Sequence, residues 1–546
     1  MKKIITLALC CVIAYGSQAQ NDAQVSQLAT LGKVWGFLKC FHPAAAKGKP
    51  DWDNELLRLI PLTETITTQQ AFDSLLEGWY RSLPVAGLST RPVNWKADSV
   101  VRTFTEKDIQ RFPVSNWLKK ELLRLYQYHL PDTNRYATRF YDGYYYDHII
   151  HDEKAYDKPL CPERPVRLLG LFRYWNTINY FYPHKARIPQ WDAVLPLYIS
   201  RFYQAANETQ YLQAVQELIH ELHDSHSFIT GPGISNTIPP FRIDYVDGKY
   251  LIGESDDSIV KKWDYRMGDE IIAVNGQSIA DRVKELEKIT TGTNALSVHR
   301  NIAQGLLNVV DSVVSVSFKR NGEVITKSVN LYSYLANAQL ARSQKPLWQE
   351  LDKGIWYVRY CRIKNADTLQ QLFSDIHDAK AVIWEMRGYP NFKVTEETYK
   401  YFFQEKTLVA ESRNAWDYNP GAFVKSPYYF IPGGKGVLIY NGPLIILIDE
   451  HSQSLTESVS ASLKQRPNTI TMGRQTAGTT GNITWLTLPG GIEVSYTGVG
   501  VEYMHQAFRE GDGVVLDIPV KITGAGVLQG RDAILEQAVQ YAKRYK

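Results

Sequence analysis

The chain has 546 residues, 44% of them apolar and 22% charged, with a formal net charge of +4. That is the balance of an ordinary globular protein long enough for several domains, and it excludes a disordered or fibrous chain. The charge is small and no Lys/Arg cluster stands out, so no nucleic-acid partner is expected. Aromatics are the unusual component, with 34 Tyr and 13 Trp. Stretches such as residues 140–146 (FYDGYYY) suit either a core or a surface that grips an extended peptide or a sugar.

The N-terminus reads as a secretory leader. Lys2 and Lys3 supply the charged start, residues 4–15 an apolar run too short to span a bilayer, and Ser17-Gln18-Ala19 the small residues of a cleavage site. A buried N-terminal helix is the other reading of the same run. Cys10 and Cys11 hint at lipidation, but Leu9 precedes Cys10 where a lipobox wants a small residue, so a lipoprotein is the lesser reading. No later run reaches about 18 apolar residues, and residues 437–448 are interrupted by Asn441-Gly442-Pro443. The expectation is an exported protein, periplasmic or extracellular, with no transmembrane segment once the leader is cleaved. Cys40, Cys161 and Cys361 are then the cysteines left, too few for a disulfide framework, so the core must carry the fold.

An internal duplication follows. Trp35, Phe41, Pro43 and Trp52-Asp53 are echoed by Trp175, Phe181, Pro183 and Trp191-Asp192, at an offset of 140 that becomes 139 for the Trp-Asp pair. Both copies run on into an amphipathic helix, clearest where Leu212, Val215, Leu218, Ile219 and Leu222 keep helical spacing. The first copy ends Leu83-Pro84-Val85-Ala86-Gly87 where the second reads Leu222-His223-Asp224-Ser225-His226, so the second alone carries a histidine at that end.

From about 241 to 331 the pattern changes to short strands and turns. Residues 266–276 (RMGDEIIAVNG) alternate and close on an Asn-Gly turn, and a second hairpin surrounds Asn321-Gly322. This segment resembles a PDZ domain, which implies binding of a peptide as an added strand and a role in gating or orienting it. After Leu351 strand and helix alternate: strands near 354–360, 381–386, 437–449 and 469–472, helices near 369–377 and 455–464. That pattern argues for an α/β layered core.

Several chemistries are absent by motif. No G-x-S-x-G, H-E-x-x-H, Cys-x-x-Cys or Walker A sequence occurs. His148/His151 and His220/His223 have helical spacing but no completing carboxylate, so structural or surface roles are expected and no metal site is assigned. What remains is residues 445–457 (IILIDEHSQSLTE), an apolar strand, a polar turn, and a helix starting at or just after Ser454. Ser454-x-x-Glu457 is a capping box, and that reading is compatible with chemistry, because free N–H groups at a helix start can also stabilise an oxyanion.

This strand–turn–Ser-x-x-Glu–helix, followed by residues 472–478 (MGRQTAG), resembles the nucleophile region of the C-terminal-processing and tricorn-core serine peptidases. Three more segments match in that family's order: residues 222–227 (LHDSHS), 381–390 (AVIWEMRGYP) and 510–520 (EGDGVVLDIPV). The PDZ-like unit lies between the first two, as in the family. The resemblance covers roughly 165–540 and implies a helical subdomain with the catalytic His over 161–235, a PDZ-like domain over 236–335 and a layered, crotonase-like catalytic core over 336–546; with the leader over 1–20 and a helical domain with a degenerate repeat over 21–160, the expectation is a multidomain α/β protein.

The processing branch of the family uses a Ser–Lys dyad, but no lysine occurs between Lys464 and Lys521. The tricorn-type set is matched instead. It implies Ser454 as nucleophile, His226 as general base, Ser225 and Glu510 orienting the imidazole, and oxyanion donors from the Leu455 and Asn391 N–H groups. Asn391-Phe392 stand where a Gly-Gly pair is usual, and Glu385 replaces an Asp. The implied activity is hydrolysis of a peptide or protein substrate without a cofactor. The alternative is a catalytically inactive protein of the same fold that binds peptide or apolar ligands, and a third reading is an interaction scaffold.

Overall fold

The computed structural model describes residues 2–84, 87–95, 99–129, 134–141, 146–151, 153–235, 237–253, 264–309, 311–333, 345–416 and 418–545, with side chains from residue 22 on except at 139, 141, 146–148, 333 and 428. The side chains of the expected leader, and most of the aromatic run 140–146, lie outside the described residues. Among those described, no helix is long and apolar enough to cross a membrane.

The duplicated sequence has duplicated geometry. In the first copy Trp35 Nε1 donates to Trp52 O (2.9 Å) and Trp52 Nε1 to Trp35 O (3.2 Å). In the second, Trp175 Nε1 donates to Trp191 O (2.9 Å) and Trp191 Nε1 to Trp175 O (3.1 Å). All four indoles are buried, so each lock fills core volume while leaving no indole N–H unpaired. The copies also cross-pair. Lys33, two residues before the first Trp, binds Asp192 of the second copy at 3.1 Å, while Arg173, two before the third Trp, binds Asp53 of the first. The helices carrying them, Lys2–Phe41 and Arg164–Phe181, approach so closely that a Cβ on Gly36 would sit 2.0 Å from Asn176 Cγ. The second helix is buried almost all round, and its Arg173 is ion-paired with Asp53 and Glu153 (2.7 Å) and donates to Lys154 O (2.7 Å).

The PDZ-like segment is an antiparallel sheet in the order Glu323–Asn330, Val313–Arg320, Glu270–Val274, Lys249–Ile252, Ile243–Val246. Asn275-Gly276 (φ 48° and 81°) and Asn321-Gly322 (φ 48° and 91°) take the left-handed backbone that two-residue hairpin turns demand. The helix Ala295–Gly305 closes this core through Ile302 and Ala303.

The C-terminal core is a six-stranded sheet in the order Trp348–Asp352, Ile355–Val358, Ala381–Glu385, Leu444–Ile448, Thr469–Gly473, Ile518–Pro519. The first pair is antiparallel and every later pair parallel. Alternate residues serve opposite faces, as period-2 geometry requires. Val382, Trp384, Leu444 and Ile446 pack with Leu369, Phe373 and Val459 of the helices Ala366–Ile376 and Leu455–Lys464. Ile383, Ile445 and Leu447 pack with Ile534 and Ala538 of Ala533–Ala542. The strand expected over 437–449 begins only at Leu444, because Pro443 has no N–H to give a ladder.

One hairpin, Ile483–Leu488 with Ile492–Thr497, leaves this core and joins the helical one. Leu486, Leu488, Ile492, Val494 and Tyr496 are buried in the helical cluster. Ser495 and Thr497 therefore face the other way, onto the chain at 224–228, and are also buried.

The cross-paired aspartates give a contrast to measure. Asp53→Ala removes an acceptor from the fully buried Arg173 and should cost about 3–5 kcal/mol. Asp192→Ala, at a side chain 59% exposed, should cost under about 1 kcal/mol. Urea unfolding of the two variants checks this, and equal costs would remove the buried pair from the account.

Candidate active site

Ser454 stands where the buried strand Leu444–Ile448 turns into the helix Leu455–Lys464. Its φ of 56° and ψ of −113° lie outside the regions an L-residue favours, a strain worth roughly 1–3 kcal/mol. Hydrogen bonds hold it there. The Ser454 N–H lies 3.1 Å from Glu457 Oε2 and 3.2 Å from Thr479 O, and Ser454 O accepts from Ser458 N–H at 2.9 Å. A strained serine between strand and helix is the physical device of a nucleophile elbow, reached here without a G-x-S-x-G sequence.

Glu457 is the clamp of this turn. Its Oε1 accepts from Thr476 Oγ1 (2.6 Å) and Gly478 N–H (2.7 Å), and its Oε2 from Thr479 N–H (3.1 Å) as well as Ser454 N–H. Burial pushes the carboxyl up to about 7, against the downward pull of those four donors. Gly478, at φ 81°, lets the loop pass the chain at Gly511; a Cβ would meet Gly511 O at 2.5 Å.

His226 follows the helix Glu208–His220 and is buried. Its N–H donates to Asp224 Oδ1 (2.9 Å), and its carbonyl accepts from Ser495 Oγ (2.7 Å). The ring Nδ1 lies 3.0 Å from Thr497 Oγ1, while Nε2 is buried without a hydrogen-bond partner. Burial lowers the imidazole below its ordinary value; the Asp224 charge opposes that shift and Arg300 adds to it. Asp224 also accepts from Thr497 N–H (2.8 Å), Thr497 Oγ1 (2.9 Å) and Thr479 Oγ1 (3.3 Å).

The serine and histidine turns share one frame. Gln453 Nε2 donates to Ser225 O at 3.0 Å, joining the residue before Ser454 to the residue before His226. Thr479 takes the Ser454 N–H on its carbonyl and reaches Asp224 with its hydroxyl. Ser454 Oγ and His226 Nε2 are not hydrogen-bonded to each other.

Ser225 is buried and Glu510 partly buried beside this frame, and neither hydrogen-bonds the imidazole. Ser225 Oγ bonds the Thr293 N–H (2.9 Å) and hydroxyl (2.8 Å), and Ser225 N–H donates to Thr293 Oγ1 (2.7 Å). Glu510 Oε2 is 3.7 Å from His184 Nε2, beyond hydrogen-bond range, and neither atom has another partner. Burial pushes Glu510 well above the carboxylate range, with Asp224 adding to the rise, and pushes His184 down to about 3. Burial thus works against charge on both partners of this contact.

The expected oxyanion loop is stitched to the serine turn by Ser452 Oγ to Met386 O (2.9 Å) and Thr456 Oγ1 to Gly388 O (2.6 Å). Leu455 opens its helix, so its N–H has no intrahelical acceptor. Asn391 caps the helix Phe392–Tyr399, its side chain accepting from Lys393 N–H. Glu385, the departure from Asp, grips Arg387 at Nε (2.9 Å), and Arg387 binds Asp532 at the start of the last long helix.

Sequence reasoning missed Thr497, Thr479 and the PDZ-like contribution, and assigned no role to Asp224. Asn294 Nδ2 donates to Thr476 O (2.9 Å) and Gly511 O (3.1 Å), Arg300 Nη1 to Glu450 O (2.9 Å), and His451 Nε2 lies 3.3 Å from Asp244. These bonds make Asp244, Asn294 and Arg300 part of the frame. The signal available was the strict alternation of residues 492–497 after Pro489-Gly490-Gly491, which sets Thr497 opposite the apolar face.

Residues 355–520 match peptidase family S41, and residues 235–326 match the PDZ domain. Among curated proteins no relative matches the chain. The solved structure of mature CPAF complexed with lactacystin is similar at 14% identity and a TM-score of 0.54, covering 70% of this chain and 98% of that one. At that identity the likeness speaks for the fold alone. A putative peptidase from Parabacteroides merdae is similar at 16% identity over 70% of this chain and 97% of its own, with a TM-score of 0.43.

Glu457 carries a prediction of its own. Both of its oxygens accept, so Glu457→Gln turns an NH2 toward two donors. The substitution should destabilise the protein by about 1–3 kcal/mol and slow turnover. Thermal unfolding and steady-state rates check it; an unchanged Tm would show that the turn holds without the clamp.

Proposed function

We propose, from the match of residues 355–520 to peptidase family S41 that makes the chain a serine-type peptidase, that Ser454 is its nucleophile and His226 its general base. Ser454 Oγ attacks the carbonyl carbon of a peptide bond while His226 Nε2 takes its proton. The Leu455 and Asn391 N–H groups receive the developing oxyanion. His226 then gives the proton to the leaving amine, and water repeats the sequence in reverse on the acyl-serine. Ser225 fixes the backbone beside the base through Thr293 and Gln453, and Glu510 completes the set from beside His184. The observation that carries this reading is a buried, partnerless Nε2 in the same hydrogen-bonded frame as a strained serine.

Export to the periplasm or beyond belongs to the same proposal. It rests on the order of features from Lys2 to Ala19. The alternative of an inactive binding protein calls for the same cleft but no turnover.

Ser454→Ala should keep the fold, because the serine N–H, not its hydroxyl, makes the bonds to Glu457 and Thr479. It should lower peptide hydrolysis by about 10⁵-fold or more. A peptide-library digest of both proteins tests this, and normal cleavage by the variant contradicts it.

The pH profile follows from burial. Neutral His226 is the active form, and its value is held below 6.5. Thus kcat/KM should be on its plateau at pH 7 and fall only as pH drops below about 6.5. A limb centred well above 7 would point to a different base.

A further inference from the structure

We propose that Thr497 and Asp224 are the residues that position the base: the Thr497 hydroxyl accepts the Nδ1–H of His226 and passes its own hydrogen to Asp224, leaving Nε2 bare. This rests on the reading of His226 as general base and names the acid that serves it.

The argument is a count of hydrogens. A threonine hydroxyl owns one hydrogen and two lone pairs. Thr497 Oγ1 has Asp224 Oδ1 at 2.9 Å and His226 Nδ1 at 3.0 Å. Asp224 is an acceptor here, because the N–H groups of His226 and Thr497 both point at it. If Nδ1 were bare, the single hydroxyl hydrogen would have to serve both neighbours, and one short contact would be lone pair against lone pair. With hydrogen on Nδ1 every contact is satisfied, and Nε2 holds the lone pair that a base needs. When Nε2 takes a proton, the hydrogen on Nδ1 stays where it is, and the Asp224 charge lies one hydroxyl away from the imidazolium.

Glu510 is placed less well for this task. It faces His184 across 3.7 Å, and its Oε2 has no hydrogen-bond partner. The other charged or titratable neighbours acting on His226 are Arg300 and His184. The hairpin supplies rigidity. Its Val494 and Tyr496 are locked in the helical core, so Thr497 is presented from a fixed strand, as a positioning residue should be.

Full-length Ser454→Ala labelled with 15N-histidine tests the tautomer without any need for activity. At neutral pH the His226 signals, assigned by their loss in His226→Gln, should show hydrogen on Nδ1 and an unprotonated Nε2. In the active protein, Thr497→Val should lower kcat on the order of 10- to 100-fold with KM within about twofold, and Thr497→Ser should restore it to within about threefold. Hydrogen on Nε2, or wild-type kcat in Thr497→Val, overturns the proposal. If Thr497→Val does not fold, the spectrum alone decides. Turnover by Ser454→Ala would instead defeat the nucleophile reading, while the tautomer result would still stand.

Discussion

Glu457 lies in the interior with four hydrogens aimed at its two oxygens, and what surrounds it follows from that arrangement. A buried carboxyl is expensive to hold unless each lone-pair direction is answered. Here the answers come from Ser454 on one side and from Thr476, Gly478 and Thr479 on the other. Satisfying Glu457 thus forces the strand-to-helix turn against the 476–479 loop. The strained backbone of Ser454 is the local cost of that fit, offset by the bonds it permits. A short helix cap has become the joint between two loops.

The same loop joins the site to the remainder of the molecule. Thr479 connects the serine turn to Asp224, Asn294 holds Thr476 and Gly511, and Thr293 holds Ser225. Residues from the helical region, the PDZ-like sheet, the α/β core and the excursion hairpin therefore meet in one polar cluster, buried and almost fully hydrogen-bonded. Its exceptions carry meaning. His226 Nε2 is unpartnered where a base needs a free lone pair, and Glu510 Oε2 and His184 Nε2 face each other at 3.7 Å without a hydrogen bond. Polar networks buried to this degree specify one geometry, because any half-satisfied alternative costs more than an apolar core would.

Much of the scaffold was legible in the sequence, for physical reasons that can be named. The paired indoles announced the duplication, since the two Trp-Trp locks span 17 and 16 residues, nearly the same spacing. The helix Leu455–Lys464, with Ser454 at its N-terminal boundary, and both Asn-Gly hairpins were marked by residues with narrow conformational preferences. The strand before Pro443 was misjudged because hydropathy alone does not register a missing donor. The site was legible only where a residue type announces chemistry. Ser454, His226 and Glu510 could be singled out by resemblance, but threonines cannot, since Thr497 and Thr479 act by a hydroxyl that any exposed threonine also carries. The importance of Thr497 depends on tertiary placement: a hairpin from the C-terminal core inserts into the N-terminal helices, a contact between residues 271 positions apart at His226. No local pattern encodes that.

The account stands on a covalent bond formed by Ser454 with the help of His226. Its most direct test is rapid acid quenching of the enzyme during turnover of an activated ester, followed by mass mapping of the peptide that contains residue 454. The expected result is an acyl mass on Ser454 in the wild type that does not form in His226→Ala. Turnover with no acyl mass on Ser454, or with the adduct on another residue, would contradict it.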